Sequence, residues 1–176
     1  MKKIKFIGAI VIFLLTVLYH FLYDWLPNPV FSVFFPVNES IWEHMKLLYS
    51  GIFTWGVIEY FIFRKKNISY RNFFSTLFLE MVTSIMVYLI MYLPLYNVFG
   101  ENMVISIGLL IIVIILEEIF SYYLLSYSKE NKILDRISIL FVVLGFVVFL
   151  CFTYDPPRNY IFYDIVSNKY GIDIYK

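Results

Sequence analysis

Five long apolar segments, separated by short polar ones, dominate the pattern of residues along this chain. Each is close to the length of about 20 mostly apolar residues that a helix needs to cross a bilayer. We therefore predict a single all-α domain, a polytopic bundle of five transmembrane helices. The predicted spans are residues 4–26, 43–63, 72–96, 103–127 and 134–154, and residues 155–176 form a polar tail.

Composition favours the same environment. Hydrophobic residues make up 61% of the chain and charged residues 15%, against roughly half and about a quarter in soluble domains. A soluble domain of this size would expose much of that apolar surface, so the lipid bilayer is the expected solvent. The net charge of +1, without a long basic block, excludes a nucleic-acid-binding surface.

The lysines and arginines are unevenly divided between the two sides of the predicted bundle. Ten of the 14 precede the first span or lie in connections on that same side, and four lie on the other side. Lys5 is counted among the ten as a charge that flanks the first span. Because positive residues are retained in the cytoplasm, we predict a multi-pass cell-membrane protein with a cytoplasmic N-terminus and an extracytoplasmic C-terminus.

The segment over residues 25–37 is apolar but too short to span, and Pro27, Pro29 and Pro36 interrupt it. Non-helical backbone survives within a bilayer only when it is buried in protein or lines a wet cavity. The segment is therefore either interfacial or re-entrant.

A dense polar motif follows on the outer side, made of Asn38, Glu39, Glu43, His44 and Lys46. Asn38 is expected to be the N-cap of the second span, which would place Glu39 and Glu43 on one helical face. One interpretation is a capped helix start, with Lys46 paired to Glu43 and Trp42 as an interfacial anchor.

A second interpretation brings in His20 and Asp24, which lie four residues apart near the outer end of the first span. If the two helices meet, these side chains and the outer motif would supply several nitrogen and oxygen ligands or acid–base groups at one depth. We then expect His20, Glu39, Glu43 and His44 to line one pocket, with Asp155 and Asp164 of the tail closing over it. The sequence identifies no cofactor and leaves metal binding open.

The stretch Phe35-Pro-Val-Asn-Glu-Ser-Ile-Trp-Glu-His-Met-Lys46 resembles the signature of a family of small, uncharacterised bacterial multi-pass membrane proteins. His20-Phe-Leu-Tyr-Asp-Trp25 is similar to the end of that family's first span, and residues 152–157, 162–164 and 170–172 resemble its C-terminal stretch. The resemblance covers most of the chain. It implies the same helical membrane fold, and it implies no particular activity.

Three carboxylates, Glu80, Glu117 and Glu118, lie deep in the third and fourth spans. An ionisable group at this depth must face protein or water, because lipid exposure costs several kcal/mol. We expect Glu80 to face Glu117 or Glu118 across a helix interface. The carboxyls either form interhelical hydrogen bonds in protonated form or line a polar cavity or a path for protons or cations.

Three classes of function fit these features. The favoured one is an integral membrane protein that binds or transports a small solute, an ion or a lipid through a polar cavity. The alternatives are an outer-leaflet enzyme, dependent on a metal or on acid–base groups, with a lipid-linked substrate, and a non-catalytic accessory protein. Whether the protein is an enzyme and which oligomeric state it has stay open.

The predicted topology is tested by reporter fusions. With five spans, a reporter at residue 1 is expected in the cytoplasm and a reporter at residue 176 outside, because an odd number of crossings separates the two ends. Alkaline phosphatase, active only outside, and a fluorescent protein that folds only inside give opposite readouts at each end. Two termini on the same side would contradict the five-span count.

Overall fold

The computed structural model describes residues 1–172 of the chain as a helical bundle with one short hairpin. The helices are α1 (Lys2–Trp25), α2 (Phe31–Phe34), α3 (Ile41–Lys65), α4 (Phe73–Phe99), α5 (Met103–Tyr127) and α6 (Lys132–Tyr154), and the strands are β1 (Tyr163–Asp164) and β2 (Lys169–Tyr170). The end of the predicted tail, residues 173–176, lies outside the described residues. The all-α prediction is confirmed apart from the antiparallel β1–β2 pair, which the sequence analysis missed.

The five predicted spans correspond to the five long helices. Four of these, α1, α4, α5 and α6, are long and apolar enough to cross a membrane. The α3 helix does not meet that description, because its sequence includes polar residues such as Glu43, Lys46 and Glu59. These three side chains are nonetheless buried inside the bundle. The apolar character of α3 is thus interrupted on the face that contacts protein.

The helices α1, α3, α4 and α5 form a closed ring, in which each helix packs against two others. The α6 helix lies outside this ring against α4, and the short α2 packs on α6. We call the end of the bundle with residues 26–40 and 155–172 the motif end. The opposite end, with Met1 and the α3–α4 and α5–α6 connections, is the N-terminal end.

The start of α3 differs from the sequence prediction. Ser40 is the N-cap, and its hydroxyl accepts a hydrogen bond from the backbone N–H of Glu43 at 3.3 Å. Asn38 instead accepts from the N–H of Ser40 at 2.9 Å and donates to the carbonyl of Gly171 at 3.0 Å. Both Asn38 and Ser40 are good capping residue types, so the sequence alone did not distinguish them. Because Glu39 precedes the helix, it does not share a helical face with Glu43, and that prediction was wrong.

The apolar segment over residues 25–37 is held to the bundle through its backbone. The carbonyl of Ser32 accepts a hydrogen bond from Lys46 at 2.7 Å, and the carbonyl of Phe34 accepts one from Ser50 at 2.6 Å. Both donors belong to α3. This connection, which is helical only over Phe31–Phe34, therefore obtains from protein hydrogen bonds that lipid would not supply.

Lys46 and Glu43 form the most completely bonded polar cluster of the bundle interior. The Lys46 ammonium donates to Glu43 Oε2 at 2.6 Å, to the Thr153 hydroxyl at 2.6 Å and to the Ser32 carbonyl. The Thr153 hydroxyl lies 2.9 Å from the second oxygen, Glu43 Oε1. All three ammonium protons have acceptors, and the cluster joins α2, α3 and α6. The expected pairing of Lys46 with Glu43 is present, but inside the bundle.

The segment after α6 folds back over the start of α3. Ile161 accepts a backbone hydrogen bond from Trp42 at 2.9 Å. The Trp42 ring packs against Phe149, Phe152 and Phe162. Trp42 is therefore covered by protein at the motif end, where it holds the tail to α3.

The buried ion pair makes a testable prediction about stability. Removing one partner, by Lys46→Met or Glu43→Gln, leaves a buried polar group without its partner and should lower the free energy of unfolding by about 3–5 kcal/mol. The double variant should lose much less than the two single losses combined, because neither charge is then left alone. Denaturant unfolding in detergent micelles measures all three.

Lys132→Met is the matched control. The Lys132 side chain is 74% exposed and its ammonium lies 3.9 Å from Glu130 Oε1, so the change should have little effect. Equal losses from Lys46→Met and Lys132→Met would contradict a structural role for the buried cluster.

Candidate functional site

Three side chains converge at the motif end of the bundle. His20 comes from the penultimate turn of α1, Glu39 from the residues before α3, and His44 from the first turn of α3. One ligand atom from each lies within 4.8 Å of the other two. Among the described residues this is the one group of three or more histidine, cysteine or acidic side chains that converges in this way.

The individual distances show how the group is arranged. His44 Nε2 lies 3.3 Å from Glu39 Oε2, and His20 Nε2 lies 3.9 Å from Glu39 Oε1. The two imidazole rings stack with their centroids 5.3 Å apart. Each of the three side chains remains between about a quarter and two fifths exposed, His20 at 30%, His44 at 28% and Glu39 at 40%. The site is thus formed by protein on one side and open on the other.

Local hydrogen bonds orient His44. Its Nδ1 lies 2.9 Å from the carbonyl of Ser40, one turn earlier. A carbonyl can only accept, so this contact requires a proton on Nδ1 and leaves Nε2 as the atom that faces Glu39. This is the common arrangement in which a metal-binding histidine is fixed by a backbone carbonyl through its other ring nitrogen.

The tail positions Glu39. Asp164, at the end of β1, accepts hydrogen bonds from the backbone N–H groups of Val166 and Ser167, and from that of Glu39. Burial raises the pKa of Asp164, but these hydrogen bonds and one from the Ser167 hydroxyl together lower it by more. The carboxyl therefore has a pKa below its usual value. An ionised Asp164 therefore holds the backbone of Glu39 against the bundle.

The carboxyl of Glu39 is also stabilised in its ionised form. A hydrogen bond from His44 lowers its pKa, and this effect outweighs partial burial, which raises it. The charge of His20 lowers the pKa as well. At neutral pH Glu39 is consequently an anionic ligand beside two imidazoles.

Two pockets meet at this group. The larger, of about 320 Å³, runs between α1, α3 and α5 toward the middle of the bundle, and its wall is mainly apolar. The smaller, of about 70 Å³, is lined by four tyrosines, Tyr88, Tyr92, Tyr96 and Tyr163. Glu39, His44 and Glu101 line both pockets. The arrangement offers an apolar channel and a polar recess on either side of one ligand cluster.

The structure separates the residues that the sequence analysis had grouped as one outer site. His20, Glu39 and His44 come together, whereas Glu43 and Lys46 belong to the buried cluster with Thr153. Asp24 is exposed and lies outside the converging group. The single pocket containing Glu43 was therefore a wrong prediction, because Glu39 is not in the helix and faces away from Glu43.

Asn38, Asp155 and Asp164 have supporting positions. Asn38 links the start of the motif to the tail through Gly171, and Asp155 ends α6 as its C-cap. Asp164 contacts the backbone of Glu39, in agreement with the expectation that the tail closes over the motif. Glu101 was not singled out from the sequence, since it lies in a short connection without a recognisable pattern around it.

The deep carboxylates form a separate group at the N-terminal end. Glu80 interacts electrostatically with Glu118 and lies beside Ser121 of α5, as expected for a carboxylate that faces the fourth predicted span. Glu117 points elsewhere and accepts a hydrogen bond from Thr83 at 2.7 Å. Lys5, predicted to flank the first span, is instead buried in this group, 2.7 Å from Glu59 Oε2.

The fold and its four strongly apolar helices define a helical integral membrane protein. Residues 1–172 match the model of a family of unknown function, DUF6512, and the chain belongs to that family. No curated protein and no solved structure matches the chain. The functional argument therefore rests on the geometry of the site.

Proposed function

We propose that this protein binds a divalent transition metal at its motif end and uses it to act on an amphiphilic molecule with a long apolar chain. The observation that carries the proposal is the convergence of His20, Glu39 and His44 where the two pockets meet. The proposal belongs to the class of outer-leaflet membrane enzymes with a lipid-like substrate.

The membrane arrangement that goes with it has five spans, with α3 as the fifth crossing helix and the motif end outside the cell. The buried position of the polar residues in α3 supports this, because a crossing helix tolerates charges that face protein. The distribution of lysine and arginine supports a cytoplasmic N-terminal end.

Zinc is the metal that fits best. Two imidazoles and one carboxylate are the protein ligands of a common type of catalytic zinc site, which keeps a fourth position open for water or substrate. Bonds of about 2.1 Å in tetrahedral geometry place neighbouring ligand atoms about 3.4 Å apart. The 3.3 Å between His44 Nε2 and Glu39 Oε2 already matches that separation. His20 Nε2 lies 3.9 Å from the other oxygen, Glu39 Oε1, so His20 has to move closer to complete the site.

The two pockets indicate the shape of the amphiphilic ligand. An apolar chain would enter the channel of about 320 Å³ beside Leu110 and Thr16, and its polar head would lie at the cluster, next to the tyrosine-lined recess. The open position of the metal would face that head. A bound zinc ion supplies Lewis-acid polarisation and a water of lowered pKa, which suits hydrolysis of an ester or phosphoester.

Glu101 is the side chain we assign as proton acceptor in such a reaction. It lines both pockets together with Glu39 and His44 but is not one of the three converging ligands, His20, Glu39 and His44, which we call the motif-end triad. A carboxylate beside the open position can take a proton from an attacking water while the three ligands stay in place.

A second candidate function is movement of the amphiphile along the bundle. A groove of about 680 Å³ lies between α1 and α5 on the N-terminal side of the motif-end channel, and Phe13 of α1 lines both. The two spaces thus adjoin at a single aromatic ring. Rotation of Phe13 would join them into one apolar path along the α1–α5 seam.

Metal binding is tested first. Protein purified without a polyhistidine tag and equilibrated with zinc is expected to contain about one zinc per chain by elemental analysis. His20→Ala, Glu39→Gln and His44→Ala should each weaken zinc binding by more than about 100-fold, the upper range for losing a partner of a metal ligand. Affinity should also fall as the pH is lowered, because protons compete for the imidazole nitrogens.

Asp24→Asn is the matched control, since Asp24 lies one turn after His20 but outside the cluster. It should bind zinc as the unchanged protein does. A chain that takes up no zinc, or triad variants that retain it, would remove the basis of the proposal.

The apolar channel is tested with a fluorescent long-chain fatty acid, whose carboxylate can occupy an open metal position. It should bind the zinc-loaded protein at least about tenfold more tightly than the metal-free protein, a difference of about 1.4 kcal/mol. Leu110→Trp should abolish this binding by filling the channel, whereas the adjacent Ile111→Trp, which lines only the α1–α5 groove, should not. Equal binding by the Leu110→Trp and Ile111→Trp variants would show that the fatty-acid chain does not occupy the channel.

A further inference from the structure

A second polar group lies at the N-terminal end of the bundle and is not used by the proposed metal site. Lys5 of α1 donates hydrogen bonds to Glu59 Oε2 of α3 and to the Ser121 hydroxyl of α5, both at 2.7 Å. Its ammonium also lies 3.3 Å from Glu118 Oε2. Glu80 of α4 completes the group, so each helix of the four-helix ring contributes one ionisable side chain. We call these four residues the N-terminal cluster.

The charges of the N-terminal cluster do not balance. Three carboxyls surround one ammonium, and each of the four residues is no more than 4% exposed. If all were ionised, two negative charges would remain uncompensated in an apolar environment, which is far more costly than neutralising them. The other charged groups nearby are the N-terminal amine, which acts on Glu59, and Glu117, which acts on Glu80.

The hydrogen bonds show which carboxyls lack a partner. Glu59 Oε2 is bonded to Lys5 at 2.7 Å, whereas Glu118 Oε2 has only the longer 3.3 Å contact with the Lys5 ammonium. Glu118 Oε1 and one oxygen of Glu80 have no hydrogen-bond partner. A buried carboxylate oxygen without a donor is strongly disfavoured, whereas a protonated carboxyl carries no charge. The ammonium therefore belongs with Glu59, and the excess negative charge falls on Glu80 and Glu118.

An unpartnered donor points into the same place. Trp55 Nε1 is buried and has no hydrogen-bond partner. Both Trp55 Nε1 and Glu118 Oε1 lie against Gly8 of α1, where a Cβ atom would collide with them. Gly8 thus leaves room beside α1 for both the indole N–H and the Glu118 carboxyl oxygen Oε1, two groups that have no hydrogen-bond partner.

A metal ion does not fit this place. Among residues 1–172 the acidic, histidine and cysteine side chains whose ligand atoms converge are those of the motif-end triad, not those of the N-terminal cluster. Its carboxyl oxygens are spread around Lys5 instead of around a common centre. The cation that can be bound one carboxyl at a time is the proton.

The cluster is accessible along one side. Lys5 and Glu118 line the groove of about 680 Å³ between α1 and α5. Lys2 and Tyr122 lie at the end of this groove nearest Met1, with the Lys2 ammonium 5.6 Å from the centre of the Tyr122 ring. The groove therefore connects Glu118 with the N-terminal end of the bundle.

From these observations we infer that the N-terminal cluster is an exchangeable proton-binding site in the membrane, where Glu118 and Glu80 hold the protons and Lys5 stays paired with Glu59. The site is distinct from the metal site, since Lys5 and His20 are 15 residues apart on α1, or roughly 22 Å along the helix axis.

Infrared spectroscopy of the full chain in phosphatidylcholine vesicles tests this inference. Protonated carboxyls absorb separately from carboxylates, and exchangeable ones shift in D₂O. The unchanged protein should show such a band at neutral pH, with the band decreasing as the pH is raised. Glu118→Gln should remove about one carboxyl's share of the band. Lys5→Met should add about one share, because Glu59 then has to take up a proton.

Glu130→Gln, at the surface, is the control and should leave the band unchanged. The opposite changes expected for Glu118→Gln and Lys5→Met separate proton binding from general damage to the fold, and the D₂O shift of the unchanged protein depends on no variant. Three results would each overturn the inference: no protonated-carboxyl band, a band insensitive to Glu118→Gln, or loss of the band when sodium replaces choline.

Discussion

Matching buried charge inside the protein is the constraint on which the rest of this structure depends. Lipid offers no hydrogen bonds and little dielectric screening, so each ionisable side chain of a membrane helix must find its partner within the protein. The α3 helix contains three buried ionisable side chains, Glu43, Lys46 and Glu59. Their partners come from several neighbouring elements: Lys5 of α1 pairs with Glu59, and Ser32 of α2 and Thr153 of α6 bond to Lys46.

The same constraint explains the shape of the motif end. Lys46 has to satisfy three donors, and the Ser32 carbonyl and Thr153 hydroxyl supply two of the acceptors. The apolar segment of α2 and the end of α6 are thereby drawn to α3. With α2 and α6 held against α3 in this way, Glu39 lies on the side of the motif that faces α1, next to His20 and His44. The same closure at Lys46 therefore buries Glu43 and leaves Glu39 partly exposed.

Much of the architecture could be predicted from the sequence, because the length and apolarity of a span are local properties. The helix boundaries therefore agree closely, as in α5, which begins at Met103 and ends at Tyr127 as expected. The partners of buried charges are not local. Lys5 reads as a flanking charge after Lys2 and Lys3, and its partners Glu59 and Ser121 lie 54 and 116 residues away.

The candidate site was predictable in part for the same reason. The spacing of polar residues indicated that His20 and His44 lie at one end of their helices, but the separation of Glu39 from Glu43 depends on where α3 begins. Choosing Asn38 as the cap places both carboxylates in the helix, whereas the cap at Ser40 leaves Glu39 outside. A two-residue difference in a helix start thus decides whether one polar site or two are formed, and helix starts are among the least certain features of a sequence.

The three polar groups of the bundle differ in how completely they are satisfied, and this difference separates structural from functional roles. In the Lys46 cluster all three ammonium protons and both Glu43 oxygens have partners, so nothing is left to bind a ligand. The motif-end triad directs ring nitrogens and carboxylate oxygens toward a common open point, as a metal requires. The N-terminal cluster is buried yet leaves Glu118 Oε1 without a donor, as expected of a group that binds a proton. Since a fully bonded group gains nothing from a ligand, residual hydrogen-bonding capacity distinguishes the proposed metal and proton sites from the Lys46 cluster, which holds helices together.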